Sequence, residues 1–340
     1  DYISCWFYKG ARYISGKNAK LAFVSTNSIC QGEQVLNLWP LIYCCELEIG
    51  FAHQSFKWGN NAKNNAAVYC VIIGLQNKSD KVKCLYSQGY EKTGEYINPY
   101  LVFSKDNFML PKRKSPLCDV PVMNRGNSPV DGGNLLLSNE ERNELVAAYP
   151  ESEPLVKRIM GATEFTNGIQ RWCLWIDDKS LGLANSIEPI KNRLNKVAEM
   201  RADSPKKATQ KLSSAPHKFG EIRRVDKSGL IIPRHGSDRR DYFPIGFIDR
   251  NTLISDAAQA VYTDDLTIFG ILSSRIHLVW IKASCGKIKE DPRYSPLLGY
   301  NNFPFPSLSK SQRDSVVSAS LNLLSMREMH SNMSISQIYD

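Results

Sequence analysis

Ala66-Ala-Val-Tyr-Cys-Val-Ile-Ile-Gly-Leu75 is the strongest strand signal in the chain, an almost wholly apolar run of the kind a strand needs when both of its faces are covered. Residues 2–14 place Ile3, Trp6, Phe7 and Ile14 on one helical face. Lys20-Leu-Ala-Phe-Val-Ser-Thr26 has the continuous apolar centre of a second doubly covered strand. Gly32 to Tyr43 carries Val35, Leu38, Trp39 and Ile42 at helical spacing, and Leu47, Ile49 and Phe51 alternate as in a strand. Val82 to Tyr86 is expected to pair with the decisive strand across Gln76–Lys81. Helix, buried strand, helix, strand, strand is the closing half of an α/β sheet. That pattern, with Asp1 where an initiating Met would stand, reads as part of something longer.

Downstream the composition changes. Residues 98–134 are rich in Asn, Pro, Gly and Ser, including Pro111, Pro116, Pro121, Pro129 and Gly132-Gly133, and read as an extended crossing. Ser138-Asn-Glu-Glu141 opens a helix with a capping-box pattern. Arg171 to Ile176 is a short apolar strand, and Ser186 to Met200 an amphipathic helix with Ile187, Ile190, Leu194 and Val197 on one face. Leu230–Pro233 and Phe243–Ile248 are strand-like and flank a polar tip. Phe269, Leu272, Ile276, Val279 and Trp280 form one helical stripe ending at Gly286, and the tail is helical from Ser309 and polar from about His330. The expected divisions are 1–97, a crossing over 98–137, a second module over 138–306 and a helical tail over 307–340.

The bulk numbers bound the function. At 340 residues and 42% hydrophobic content the chain can bury real cores, and no apolar run approaches the roughly 20 residues of a membrane helix. The reading is a soluble, cytoplasmic protein that does not engage a membrane. Nine cysteines form no C-x-x-C pair, and five histidines have no finger or H-E-x-x-H spacing, so reduced thiols and no metal are expected. Cys5, Cys70 and Cys173 lie in apolar stretches, where a free thiol behaves as a small hydrophobe. The net charge is +9, and residues 201–250 alone carry 12 basic against 6 acidic side chains. A local excess of this kind suits phosphates, although a solvated surface has the same composition.

Three segments carry candidate chemistry. His53-Gln-Ser-Phe-Lys-Trp58, before an Asn-rich turn, either ends a strand with Phe56 and Trp58 as core aromatics or offers an aromatic ring as a platform on which an extruded base can stack. The tip Pro233-Arg-His-Gly-Ser-Asp-Arg-Arg-Asp-Tyr242 is either a plain charged hairpin or a base reader. Arg donates bidentately to guanine O6 and N7, and Asp accepts from cytosine N4. Arg234, Ser237, Asp238, Arg239, Arg240 and Tyr242 are the candidates there. Lys206, Lys207 and Lys211 follow the helix ending near Met200 and suit phosphates, which position without reading sequence. Two absences count as much. No Gly-rich turn follows a first strand, as S-adenosylmethionine binding on an α/β fold requires, and Asn98-Pro99-Tyr100 lacks the second proline of a base-methylating loop, so it reads as a linker turn.

With these segments in view, the chain resembles the MmeI-like single-chain restriction–modification enzymes. The strings that carry the likeness are Ala22–Gln34, His53–Trp58 with Asn64–Val68, Ile97–Leu101, Lys114–Asp119, Asp131–Leu137, Arg171–Trp175, Phe219–Arg223 and Tyr300–Pro304. The likeness runs over residues 1–306 and implies the distal half of a class I adenine-N6 methyltransferase sheet (α/β), then an α+β target recognition domain and a helical tail. It implies that Phe56 stacks on the flipped adenine, that Asp238 and Arg240 read bases in the major groove, and that Lys206 approaches the same groove. It further implies double-stranded DNA as partner and S-adenosylmethionine as the parent's methyl donor, held by glycines and an Asn-Pro-Pro-aromatic loop expected before Asp1. On that reading the N-terminal half of the methyltransferase domain is missing, and residues 1–340 alone bind no cofactor and do not catalyse. Two other readings stay open: a non-catalytic DNA specificity subunit serving a separate modification subunit, and an RNA-binding or RNA-modifying module.

Overall fold

The computed structural model describes residues 2–59 and 68–339. The Asn-rich turn and the first two residues of the decisive strand, Ala66 and Ala67, lie outside the described residues. The first part of the chain forms α1 (Ile3–Ile14), β1 (Leu21–Thr26), α2 (Gly32–Tyr43), β2 (Leu47–Lys57), β3 (Tyr69–Asn77), β4 (Lys83–Ser87) and β5 (Tyr90–Gly94). Then come β6 (Met123–Arg125), β7 (Leu136–Leu137), α3 (Asn139–Ala148), β8 (Val156–Met160), α4 (Ala162–Asn167), β9 (Trp172–Leu174), α5 (Leu181–Ser186), α6 (Glu188–Ala202) and α7 (Lys207–Gln210). The remainder gives β10 (Gly229–Pro233), β11 (Gly246–Ile248), β12 (Leu253–Ile254), β13 (Ala258–Val261), α8 (Leu266–Leu272), α9 (Arg275–Ser284), β14 (Gly286–Ile288), β15 (Asp291–Arg293), α10 (Lys310–Met329) and α11 (Ile335–Tyr339).

The chain divides into two compact units. One holds residues 1–118, 236–238 and 276–304; the other holds residues 119–235, 239–275 and 305–340. In the first unit a five-stranded sheet runs β1-β3-β2-β4-β5. The decisive strand, β3, is central and buried on both faces, as its composition requires. Phe7 and Ile14 of α1 and Val35, Leu38, Trp39 and Ile42 of α2 pack with Leu47, Ile49, Val71 and Ile73 in one core. Gly74 is needed where Phe51 covers it: a Cβ there would meet the Phe51 ring at 2.1 Å.

Several expectations are corrected. β4 pairs with β2 in parallel and with β5, not with β3, because β1 and β2 already occupy both edges of β3. β1 is an edge strand among the described residues; Val24 is exposed and burial alternates, so it is covered on one face only. Trp6 points outward while Ala11 takes the buried position on α1, and Cys5 is exposed on the same helix. The single stripe expected over Phe269–Trp280 is two helices. The chain breaks at Ser273–Ser274, which resets the helical phase, leaving Ile276 and Val279 exposed and His277, Leu278 and Ile281 buried. Burial pushes the His277 imidazole down to about 3, and its Nε2 lies 2.7 Å from the Tyr294 hydroxyl.

The second unit contains two four-stranded sheets, β11-β10-β13-β6 and β12-β8-β9-β7. The Ser138–Glu141 capping box forms in both directions, at 3.1 and 2.8 Å. Ile187, Ile190, Leu194 and Val197 are all buried at or along α6, in a core with Leu174, Ile159 and Leu253. The tail is helical as expected, and its polar end adds α11. No single helix among the described residues is long and apolar enough to cross a membrane.

Candidate nucleic-acid interface

β2 extends beyond the alternating Leu47–Phe51 segment through a second register shift between His53 and Phe56 and delivers Phe56 opposite Cys70. Phe56 is half-buried and Trp58 is exposed, with ring centroids 6.4 Å apart at 41°. The pair is therefore not core: aromatic surface stays open at the strand end. Beside it, Asn27 Nδ2 donates to Ser55 Oγ at 2.9 Å, and Ser55 Oγ donates to Glu290 Oε1 at 3.0 Å. Lys287 Nζ sits 3.1 Å from Glu290 Oε2, and the Lys287 amide donates to Gln31 Oε1 at 3.2 Å. The β14–β15 hairpin thus docks at the end of β1 and β2 through polar groups. Sequence reasoning passed over Glu290 and Lys287, because their partners lie more than 230 residues away.

Asp238 belongs to this first unit. Its amide donates to Asp291 Oδ1 at 2.9 Å, and Lys282 Nζ reaches both its carbonyl at 2.9 Å and its Oδ1 at 3.2 Å. A lysine beside the carboxylate orients it and leaves it half-exposed as an acceptor.

In the second unit, β10 and β11 pair antiparallel from Gly229↔Ile248 to Ile231↔Gly246, and the charged tip is the long connection between them. Arg239 and Tyr242 are exposed, Ser237 in the first unit is half-buried, and Arg240 is half-buried with its Nη2 donating to Ser336 Oγ at 2.9 Å. Arg234 is half-buried and donates to the Asp256 carbonyl at 2.8 Å, which ties it to the adjoining turn. Lys206, Lys207 and Lys211 are exposed on and beside α7. Beneath them lies a residue that the sequence reading missed. Arg201 is fully buried, and all five guanidinium donors are used on the carbonyls of Val130, Pro129, Leu212, Ala215 and Lys218 at 2.8–3.1 Å. Burial lowers its pKa against the opposing pull of the Asp131 carboxylate. Among the described residues no group of three His, Cys, Asp or Glu side chains is placed to hold a metal ion.

Family models divide the chain in the same order as its units begin. The DNA-methyltransferase domain of MmeI matches residues 1–87, and the target recognition domain of MmeI matches residues 104–307. The chain belongs to the MmeI family. It is 40% identical over 329 residues to DNA methyltransferase A of Bacillus subtilis (strain 168), covering 96% of this chain and 37% of that protein. The solved structure of the type IIL restriction-modification enzyme MmeI in complex with DNA superposes with a TM-score of 0.94 at 38% identity, covering 100% of this chain and 46% of that one. This chain therefore spans less than half the length of either relative. The expected order, a methyltransferase part of mixed α/β character followed by a target recognition part and a helical end, is that of the MmeI family. Helices α10 and α11 lie past residue 307, where the target recognition match ends.

Proposed function

We propose that this chain is the sequence-reading portion of a DNA adenine-N6 methyltransferase of the restriction–modification type, acting on double-stranded DNA with S-adenosylmethionine as the parent's methyl donor. The observation that carries the reading is the near-complete superposition on MmeI, which was solved with DNA bound. Three local features support it. An open aromatic platform at Phe56 and Trp58 can restore stacking to an extruded base. An oriented Asp238 carboxylate and the Arg240 guanidinium suit base edges. The lysines on and beside α7 suit phosphates.

The residues present do not fit the methyl donor. No glycine-rich turn follows a strand in residues 1–340, and no polar-Pro-Pro-aromatic loop occurs, so no chemical step through the donor is assigned to these residues. Their part is to choose the DNA and receive the base.

Phe56→Ala in the full-length protein tests the platform: modification slows while the Kd for duplex DNA changes little. Unchanged modification kinetics would remove Phe56 from the base-stacking role. Competition of labelled duplex DNA against structured RNA tests the partner, and preference for RNA overturns the reading.

A further inference from the structure

The loop proposed to read bases packs Phe243 and Ile245 into the interior but leaves its tip over open space. Arg239 and Tyr242 form one wall of a cavity of about 640 Å³ whose other walls include Gly270, Leu323 and Tyr339. A loop over a cavity lacks the close contacts that hold side chains elsewhere in a protein interior. Two polar contacts from the end of the chain add to the burial of Phe243 and Ile245 in holding it. Arg327 on α10 donates through Nη1 to the Ile245 carbonyl at 2.6 Å, at the loop's return into β11. Ser336 Oγ on α11 accepts a hydrogen bond from Arg240 Nη2 at 2.9 Å.

These two contacts share one frame. Arg327 lies over the Phe269 ring at 5.7 Å and over the Tyr339 ring at 5.2 Å, and it also donates to the Tyr339 hydroxyl, so it joins α8, α10 and α11. α10 is seated on α8 at Gly270, where a Cβ would meet Ser320 Oγ at 2.4 Å, and Ser320 donates to the Leu266 carbonyl at 2.9 Å. α11 packs on α4 and is capped by Ser334 and Gln337, whose side chains bond each other's amides at 3.2 and 2.8 Å.

We propose that this C-terminal helix pair is part of the reading head, with Ser336 and Arg327 as positioning residues that set the direction of the Arg240 guanidinium and so the base it selects. A guanidinium reads guanine by a planar, two-bond match, so a partner that fixes its plane changes selectivity as well as affinity. The inference rests on the base-reading role of the 234–245 loop, and the experiment separates the two.

Duplex DNA with randomised positions is selected by the full-length protein, and the retained sequences are counted. Arg240→Ala relaxes the preference at one base pair by roughly ten- to a hundredfold. Ser336→Ala relaxes that same base pair by about tenfold or less, the share of one charge-assisted hydrogen bond, and leaves the other positions and the salt dependence unchanged. Ser336→Thr, which keeps the hydroxyl, restores the preference. Arg327→Gln, which keeps a donor but loses the stacked cation, relaxes the same base pair. If Arg240→Ala relaxes one position and Ser336→Ala does not, the positioning role is wrong. An equal loss at every position shows a merely structural tail and also overturns it. If Arg240→Ala relaxes no position, the base-reading role itself falls, and this inference with it.

Discussion

The two basic segments of the second unit are held in opposite ways. The segment from Lys206 to Lys218 is organised from below, around one buried guanidinium whose five donors all end on backbone carbonyls. Residues 239–245 bury Phe243 and Ile245, and hydrogen bonds from side chains of α10 and α11 hold them from the side where Arg239 and Tyr242 line a cavity. The first arrangement fixes a backbone and leaves Lys206, Lys207 and Lys211 exposed, where on the proposed reading they meet a uniform partner, the phosphate chain. The second fixes one backbone carbonyl and the direction of one side chain, Arg240, which on the proposed reading faces a base edge.

The largest effect expected from this contrast is at Arg201. Arg201→Met removes the charge and strands five carbonyls in a site closed to water, at a cost of about 3–5 kcal/mol in stability. Chemical denaturation measures it, and limited proteolysis should open first between residues 203 and 218. Arg201→Lys keeps the charge but not the fork, and recovers only part of the loss. A cost no greater than that of an ordinary surface substitution would erase the contrast.

Next in size is Asp238. Asp238→Ala is expected to cost about 1–3 kcal/mol of discrimination at one base pair, read from the binding of duplexes that differ at that pair, with stability unchanged. Lys282→Met leaves the carboxylate unoriented and gives a smaller loss at the same pair. Uniform weakening over all sequences would turn Asp238 from a reader into a general contact. Below these come the lysines: Lys206→Gln, Lys207→Gln or Lys211→Gln should weaken every duplex alike by about 0.5–1 kcal/mol, with a salt slope shallower by about one for each phosphate contact removed. Altered base preference in any of the three would break the separation of positioning from reading.

How much of this was legible depends on whether the signal is local. The phase of α2, the stripe of α6 and the Ser138 capping box were read correctly, because spacings of three and four residues determine them. Arg201 was within reach of the same logic: it follows Ile190, Leu194 and Val197 at the next helical position, but its charge argued for the surface. The Ser334–Gln337 capping box was written in the same form as that at Ser138, yet the polar composition around it concealed α11. The partner of β4 could not be read from nearest neighbours, because pairing depends on which strand edge is left free. Phe56 and Asp238 were named, but Lys282, Asp291 and Glu290 were not, since each reaches its partner across dozens to hundreds of residues.

The smallest expected effect lies at the lower end of the rigid segment. Asp178 is exposed, yet it accepts from Lys218 Nζ at 2.6 Å and lies 3.0 Å from His217 Nε2. Lys218, and to a lesser degree His217, hold its carboxyl below the ordinary carboxylate range. A carboxyl whose folded pKa is depressed contributes its stability above the unfolded pKa and loses it as pH falls through the folded one. Because Lys218 also gives its carbonyl to Arg201, protonating Asp178 loosens the edge of the network without touching its centre. Denaturation midpoints followed downward from neutral pH should therefore fall slightly more in the native protein than in Asp178→Asn, which has no carboxylate to titrate. The two curves converge once the native carboxyl is protonated. A parallel course through the whole acid range would mean that Lys218 is held by its carbonyl alone, and the rigid segment would then owe its order entirely to Arg201.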